Sequence, residues 1–210
     1  MKLLLTSGGI TNKTIAGALT DLVGKPANQA KIGFIPTAAN VEEGNKDWFI
    51  ATLAELTQEG YWIDIVDPSA PGVDWKKRLA AVDIVFVNGG NTFHLLDQMR
   101  KTHFDVWLKE NLSTKVYVGV SAGSIVATPS IAVASVDNGD KNLAGLTDLR
   151  GLGFVGFEVS PHTPEMVSHA GNVAYRATIK NDLYEMDDQT AIKVTEGKIE
   201  VVTEGVYRKC

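Results

Sequence analysis

Apolar and polar positions along this chain alternate between two patterns. Residues 2–5, 31–35, 62–66, 83–87 and 115–120 are short runs rich in Val and Ile and apolar on both faces, the pattern of strands buried in a parallel sheet. Between them the spacing turns helical. Ile15, Ala18, Leu19, Leu22 and Val23 recur at helical intervals and Gly24 closes that stretch. Phe49, Leu53 and Leu56 mark a second helix closed at Gly60. Phe93, Leu96 and Met99 mark a third with Asn91 as its N-cap, and Phe104, Trp107 and Leu108 a fourth. After Pro129 the pattern loosens. Residues 131–136 and 154–159 read as strands, residues 172–184 as a helix, and residues 191–194 and 200–203 as a hairpin around Glu196-Gly197. Strand–helix alternation predicts an α/β fold of three layers, a mostly parallel sheet with helices on both faces. With neither linker nor repeat, residues 1–210 read as one domain.

Composition narrows the functional classes. A net charge of -5 opposes binding to nucleic acid, whose phosphates call for a basic face. The first apolar run is too short for a signal peptide, and no run approaches the ~20 apolar residues of a membrane span. The single cysteine, Cys210, cannot build a disulfide framework, which fits a reducing cytoplasm. Three motif-like segments are set aside. Residues 151–156 match G-x-G-x-x-G but lead into a strand rather than a helix, which opposes nucleotide binding. Ser7-Gly8-Gly9 follows the first strand without the lysine of a phosphate-binding loop. His162 and His169 lack partners at metal-ligand spacing. The expectation is therefore no cofactor and no metal, with the oligomeric state open and a homodimer among the options.

Sites in parallel α/β sheets form at the carboxyl ends of strands. One such end reads Gly119-Val120-Ser121-Ala122-Gly123, a strand followed by G-x-S-x-G and a short helical stretch. That arrangement exposes a nucleophilic serine on a sharp turn, and Ser121 is its residue. The neighbouring end carries Gly89-Gly90, whose bare backbone offers an N–H to the same oxyanion, with Ala122 N–H as the second donor. The serine needs a base. Of the four histidines, His94 and His103 fall in helical patterns and His169 lies near Gly171. His162 sits in a proline-braced loop after a strand, Ser160-Pro161-His162-Thr163-Pro164, and is the best base. Asp137, Asp140, Asp187 and Asp188 all remain open as the acid.

The segments Gly89-Gly90-Asn91-Thr92-Phe93, Gly119-Val120-Ser121-Ala122-Gly123-Ser124 and Ser160-Pro161-His162 together resemble the peptidase E family of serine peptidases, which includes aspartyl dipeptidases and is related to cyanophycinases. The resemblance covers nearly the whole chain. It implies a flavodoxin-like sheet of the class I glutamine amidotransferase type, Ser121 as nucleophile, His162 as base, and the N–H groups of Gly90 and Ala122 as oxyanion donors. The family's third member is a glutamate; the matching residue here is Asp188, one methylene shorter, so its strand or His162 must sit closer. Asp137 is the alternative acid, matching an aspartate of the family in the loop after the serine strand. Family specificity for an N-terminal aspartate calls for a cation, and Arg176 is the nearest match. The function implied is a dipeptidase-like serine peptidase acting on small peptides. An esterase or amidase on the same residues, and a non-catalytic binding domain on the same scaffold, are the competing readings.

Overall fold

The computed structural model describes residues 1–137 and 139–210. The first half of the chain alternates strand and helix: β1 (Lys2–Thr6), α1 (Lys13–Val23), β2 (Lys31–Ile35), α2 (Asp47–Gln58), β3 (Trp62–Ile65), α3 (Trp75–Ala80), β4 (Ile84–Val87), α4 (Thr92–Thr102), α5 (Phe104–Asn111) and β5 (Val116–Val120). Then follow α6 (Ala122–Val126), β6 (Glu158–Ser160), α7 (His169–Arg176), β7 (Leu183–Met186), β8 (Thr190–Thr195), β9 (Lys198–Thr203) and β10 (Tyr207–Lys209). The first five strands are parallel. The main sheet runs β3-β2-β4-β5-β1-β8-β9, with β8 and β9 added antiparallel at one edge. A second sheet, β10-β7-β6, is separate.

Strand periodicity builds two cores. Leu3, Leu5, Val85, Val87 and Tyr117 pack on one face against α3, α4, α5, α6 and the second sheet. Their strand neighbours Leu4, Ile84, Phe86, Val116 and Val118 pack on the other against α1 and α2. Each buried Leu, Ile or Phe side chain contributes about 1.5–3 kcal/mol relative to an exposed one. The helix boundaries follow local chemistry. Asn12 caps α1 by accepting from Ile15 N–H, Gly24 closes it at φ 75°, and Asn91 caps α4 by accepting from His94 N–H. Among the described residues no helix is long and apolar enough to cross a membrane.

The second half of the chain departs from expectation in three places. Residues 131–136 are not a strand: Ala132–Ser135 is a 3-10 turn. There Ala134 N–H bonds Ile131 O and Val136 N–H bonds Val133 O, so local bonds take the backbone groups a ladder would use. The strand expected over 154–159 is confined to Glu158–Ser160, because Phe154 N–H is drawn to Ala127 O below α6. The helix expected over 172–184 is α7, which ends at Arg176, and residues 183–186 form β7 instead. The hairpin of β8 and β9 is as expected; Glu196 and Gly197 turn it with φ of 52° and 84°, the left-handed pair that matches strand twist.

This topology places the carboxyl ends of β1, β4 and β5 side by side. They bring Ser7-Gly8, Gly89-Gly90 and Ser121 to one edge of the sheet.

Candidate active site

Ser121 stands between β5 and α6 with φ 49° and ψ -110°, a conformation that side-chain-bearing residues rarely adopt. The surroundings impose it. Ser121 N–H bonds Thr6 O at 3.0 Å, while Ser124 and Ile125 N–H bond back to Ser121 O at 2.8 and 2.9 Å. The flanking glycines are required by space. A Cβ on Gly119 would lie 2.5 Å from Gly123 O, and one on Gly123 would collide with Val87 O. With nothing else at those positions, the turn can be this tight and Ser121 Oγ faces the cleft.

Gly89 lies against the serine: a Cβ there would come within 3.2 Å of Ser121 Cβ. Gly90 has φ 128° and its α-carbon backs onto the Ala38 carbonyl, leaving no room for a side chain. Among the described residues neither Gly90 N–H nor Ala122 N–H is engaged by a backbone acceptor. α6 is only five residues long, so what it offers a developing oxyanion is the N–H of Ala122 rather than a macrodipole.

His162 follows β6 and also has a left-handed backbone, φ 57°. Its loop is fastened at several points: Thr163 N–H bonds Met186 O at 3.0 Å, Met166 N–H bonds His162 O at 2.8 Å, and His162 N–H bonds Ser7 Oγ at 2.8 Å. The ring sits with Nε2 2.8 Å from Ser121 Oγ and Nδ1 2.6 Å from Asp188 Oδ1. In the tautomer that donates Nδ1–H to Asp188, Nε2 is free to accept the serine proton. Asp188 Oδ1 also accepts from Ser7 Oγ at 2.8 Å. The His162 hydrogen bond holds the Asp188 carboxyl below its ordinary range against the opposing effect of burial. Sequence reasoning missed Ser7. Its signal was position, at the end of the strand adjacent to that of Ser121.

The remaining candidates stand elsewhere. Asp137 is exposed and its Oδ2 accepts Ser168 N–H at 2.7 Å, away from the histidine ring. Asp187 is spent on the turn into β8, accepting from Gln189 N–H, Thr190 Oγ1 and Val206 N–H. Arg176, expected to border the cleft, does not line it: Nε donates to Cys210 O at 3.0 Å and Nη1 to Ile179 O at 3.1 Å, at the end of α7 beside the C-terminal strand. His169 begins α7 and pairs with buried Glu185. His103 is the left-handed residue between α4 and α5.

The cleft above Ser121 has a volume of about 430 Å³. Ser121, Gly90, His162 and Asp188 line one part of it, and Glu42, Trp48, Asp140 and Met166 another. Burial pushes the Asp140 carboxyl up, with the Thr92 N–H bond at 2.7 Å opposing. Glu42 is raised by burial and by the negative charge of Asp140. Among the described residues, the cleft lining includes neither lysine nor arginine. Nor do three His, Cys, Asp or Glu side chains converge among them as a metal site.

The sequence profile of peptidase family S51 matches residues 3–202. The chain belongs to that family. This places it among serine-type peptidases. An uncharacterized peptidase of Listeria monocytogenes is 34% identical over 139 residues, 62% of this chain and 64% of the relative. One of Pasteurella multocida is 32% identical over 144 residues, 68% of this chain and 69% of the relative. The chain thus spans about two thirds of the length of these relatives. The fold is shared with a crystal structure from Listeria monocytogenes EGD-e, of a protein described as a candidate peptidase E, at a TM-score of 0.81 and 24% identity, covering 97% of this chain and 98% of that one.

Proposed function

We propose that this S51 chain hydrolyses small peptides through an acyl-enzyme, with Ser121 as nucleophile, His162 as general base and Asp188 as the acid that orients it. The observation that carries the reading is the continuous hydrogen-bonded line from Ser121 Oγ to His162 Nε2 and from His162 Nδ1 to Asp188 Oδ1, at 2.8 and 2.6 Å. Ser121 Oγ attacks the scissile carbonyl carbon as its proton passes to Nε2. The carbonyl oxygen takes the negative charge and is met by Gly90 and Ala122 N–H. Collapse of the tetrahedral adduct breaks the C–N bond, and the imidazolium returns the proton to the leaving amine. Water, deprotonated by the same nitrogen, then releases the acid and restores Ser121.

A cleft of about 430 Å³ accommodates a short peptide rather than a folded chain. Preference for an N-terminal aspartate has little to support it here. Arg176 is engaged by two carbonyls, and a carboxylate in the cleft would meet Glu42 and Asp140 instead of a cation. Covalent labelling by a fluorophosphonate, followed by turnover of a dipeptide library beside p-nitrophenyl esters, tests the reading. Labelling of the wild type but not of Ser121→Ala, with peptides turned over, is the expected result. Absence of labelling, or turnover of esters alone, would overturn it.

A further inference from the structure

Helix α7 meets the second sheet through polar side chains. His169, Asn172 and Tyr175 recur every third residue and share one face of the helix. His169 Nδ1 lies 2.9 Å from Glu185 Oε2 on β7, and Tyr175 Oη donates to Glu158 Oε2 on β6 at 2.5 Å. Between them, Asn172 Nδ2 donates to Thr163 Oγ1 at 3.1 Å. The outer two bonds fasten the helix to strands, whereas the middle one reaches the loop that carries His162. Among the described residues, Asn172 is also the one side chain of α7 that is buried. A helix ordinarily buries apolar residues, because a buried amide gives up its water and recovers the loss only through hydrogen bonds. Among the described residues Asn172 Oδ1 has no partner, so that loss is only half compensated. Stability alone does not explain an amide here; a leucine has a similar shape and loses no hydration.

The bond to Thr163 does explain it. Thr163 Oγ1 donates to Ser160 O at 3.3 Å and so closes the segment Ser160-Pro161-His162-Thr163 on itself. Within that segment His162 keeps a φ of 57°, a state that persists only where the surroundings over-determine it. With Asn172 Nδ2 donating to it, the Thr163 hydroxyl is left to give its own proton to Ser160 O. We infer that Asn172 is a positioning residue for the reaction, acting through the Thr163 hydroxyl to hold the backbone of His162 where its ring spans Ser121 and Asp188. This inference rests on the reading of His162 as the base. The ring must meet Ser121 Oγ at 2.8 Å and Asp188 Oδ1 at 2.6 Å together, and a small shift of the loop breaks one contact or the other. Ser7 ties His162 at its own N–H, and Asn172 ties the residue that follows it, so the base is held from two separate elements, the end of β1 and α7.

Thr163→Val and Asn172→Leu keep the shapes of the side chains and remove the bond between them. The rate at which a fluorophosphonate labels Ser121 reads how well His162 is placed, while the final extent of labelling reads how much of the protein is folded. Both variants should label to completion but more slowly, Thr163→Val by ~10- to 100-fold, with dipeptide kcat falling alongside and KM little changed. Thr163→Ser keeps the hydroxyl and should label at close to the wild-type rate. The double variant should be no slower than Thr163→Val, because both changes act through one bond. Tyr175→Phe removes a bond of the same helix that does not reach the loop; it should lower the urea midpoint without slowing labelling. A wild-type rate in Thr163→Val or in Asn172→Leu would overturn the inference, as would Thr163→Ser or Tyr175→Phe being as slow as Thr163→Val. Proton NMR reads the same placement apart from catalysis: the His162 Nδ1 proton held against Asp188 should give a downfield resonance in the wild type that is lost to exchange with water in both variants. A fluorophosphonate that fails to label the wild type counts against the catalytic reading, whereas a resonance unchanged in both variants overturns the role of Asn172.

Discussion

The Ser7 hydroxyl donates to Asp188 Oδ1 at 2.8 Å, the same oxygen that lies 2.6 Å from His162 Nδ1, and it accepts His162 N–H at 2.8 Å. One buried side chain at the end of β1 therefore ties the acid to the backbone of the base. Ser7→Ala fits the space and removes both bonds. Loss of a hydrogen bond to a charged acceptor is worth about 1.5 kcal/mol or more, so kcat should fall roughly tenfold with KM little changed. His162 N–H loses its partner as well, and unfolding in urea should show a stability loss of about 1 kcal/mol. Unaltered kcat would mean that Asp188 and the loop of His162 are held without Ser7.

The acid is separable from its competitor by substitution. Asp188→Asn retains the shape but favours the wrong imidazole tautomer, and kcat should drop by roughly 10⁴-fold. Asp137→Ala should leave kcat within a few-fold of wild type, because Asp137 is exposed and its carboxylate serves Ser168 N–H. Steady-state kinetics on one dipeptide decides between them, and the reverse pattern would assign the role to Asp137.

What the residue pattern reveals and what it hides have physical reasons. Four of the five parallel strands are legible because each is a short apolar run buried along nearly all its length, whereas β3 lies at the sheet edge with Trp62 and Ile65 exposed. The turn that carries Ser121 and Ala122 is legible because a strand-to-helix turn this tight admits only small neighbours, a restriction written in Gly119 and Gly123, while Gly90 is required separately by the Ala38 carbonyl behind its α-carbon. Asp188 is only one of four aspartates until the resemblance to a family singles it out. The closeness demanded by its short side chain is met at Gly8, where a Cβ would come within 2.9 Å of Asp188 Cβ. Ser7-Gly8-Gly9 suggests nothing beyond a failed phosphate-binding loop, since nothing local says that β1 lies beside β5. Arg176 misleads because α7 stops there and turns its guanidinium to the carbonyls of Ile179 and Cys210. The placing of loops distant in sequence on one cleft, such as those of Glu42 and Asp140, leaves no periodic trace.

Ser121 carries backbone strain that can be measured apart from catalysis. Residues other than glycine at such φ, ψ values cost about 1–3 kcal/mol, whereas glycine adopts them freely. Ser121→Ala and Ser121→Gly both lose Oγ and both should be inactive, with kcat reduced by ~10⁶. They should differ in stability. Relief of strain outweighs the greater freedom of glycine in the unfolded chain, which is worth about 0.4–1 kcal/mol. Ser121→Gly should therefore be the more stable of the two by roughly 1 kcal/mol in urea unfolding. Equal stability would show that the turn is unstrained.

The two carboxylates beside His162 should drive stability in opposite directions with pH. Asp188 is held below its unfolded value of 3.8, chiefly by the His162 hydrogen bond. Its unfolded form binds a proton more readily than its folded form, so its contribution is present above about pH 4 and is lost as pH falls through the folded value. Asp140 is raised above 3.8, chiefly by burial. Its folded form binds the proton more readily, so its contribution is fully present below about pH 4 and is lost as pH rises through the folded value. An asparagine at either position does not titrate, and the amide introduced by Asp140→Asn still offers an oxygen to Thr92 N–H. Urea midpoints measured from pH 3 to pH 7 should show Asp188→Asn closest to wild type at the acid end and falling behind as pH rises. Asp140→Asn should compare least favourably with wild type at the acid end and gain on it as pH rises. Two differences that move together with pH would mean that burial does not dominate at Asp140, or that the bond to His162 does not hold the proton off Asp188.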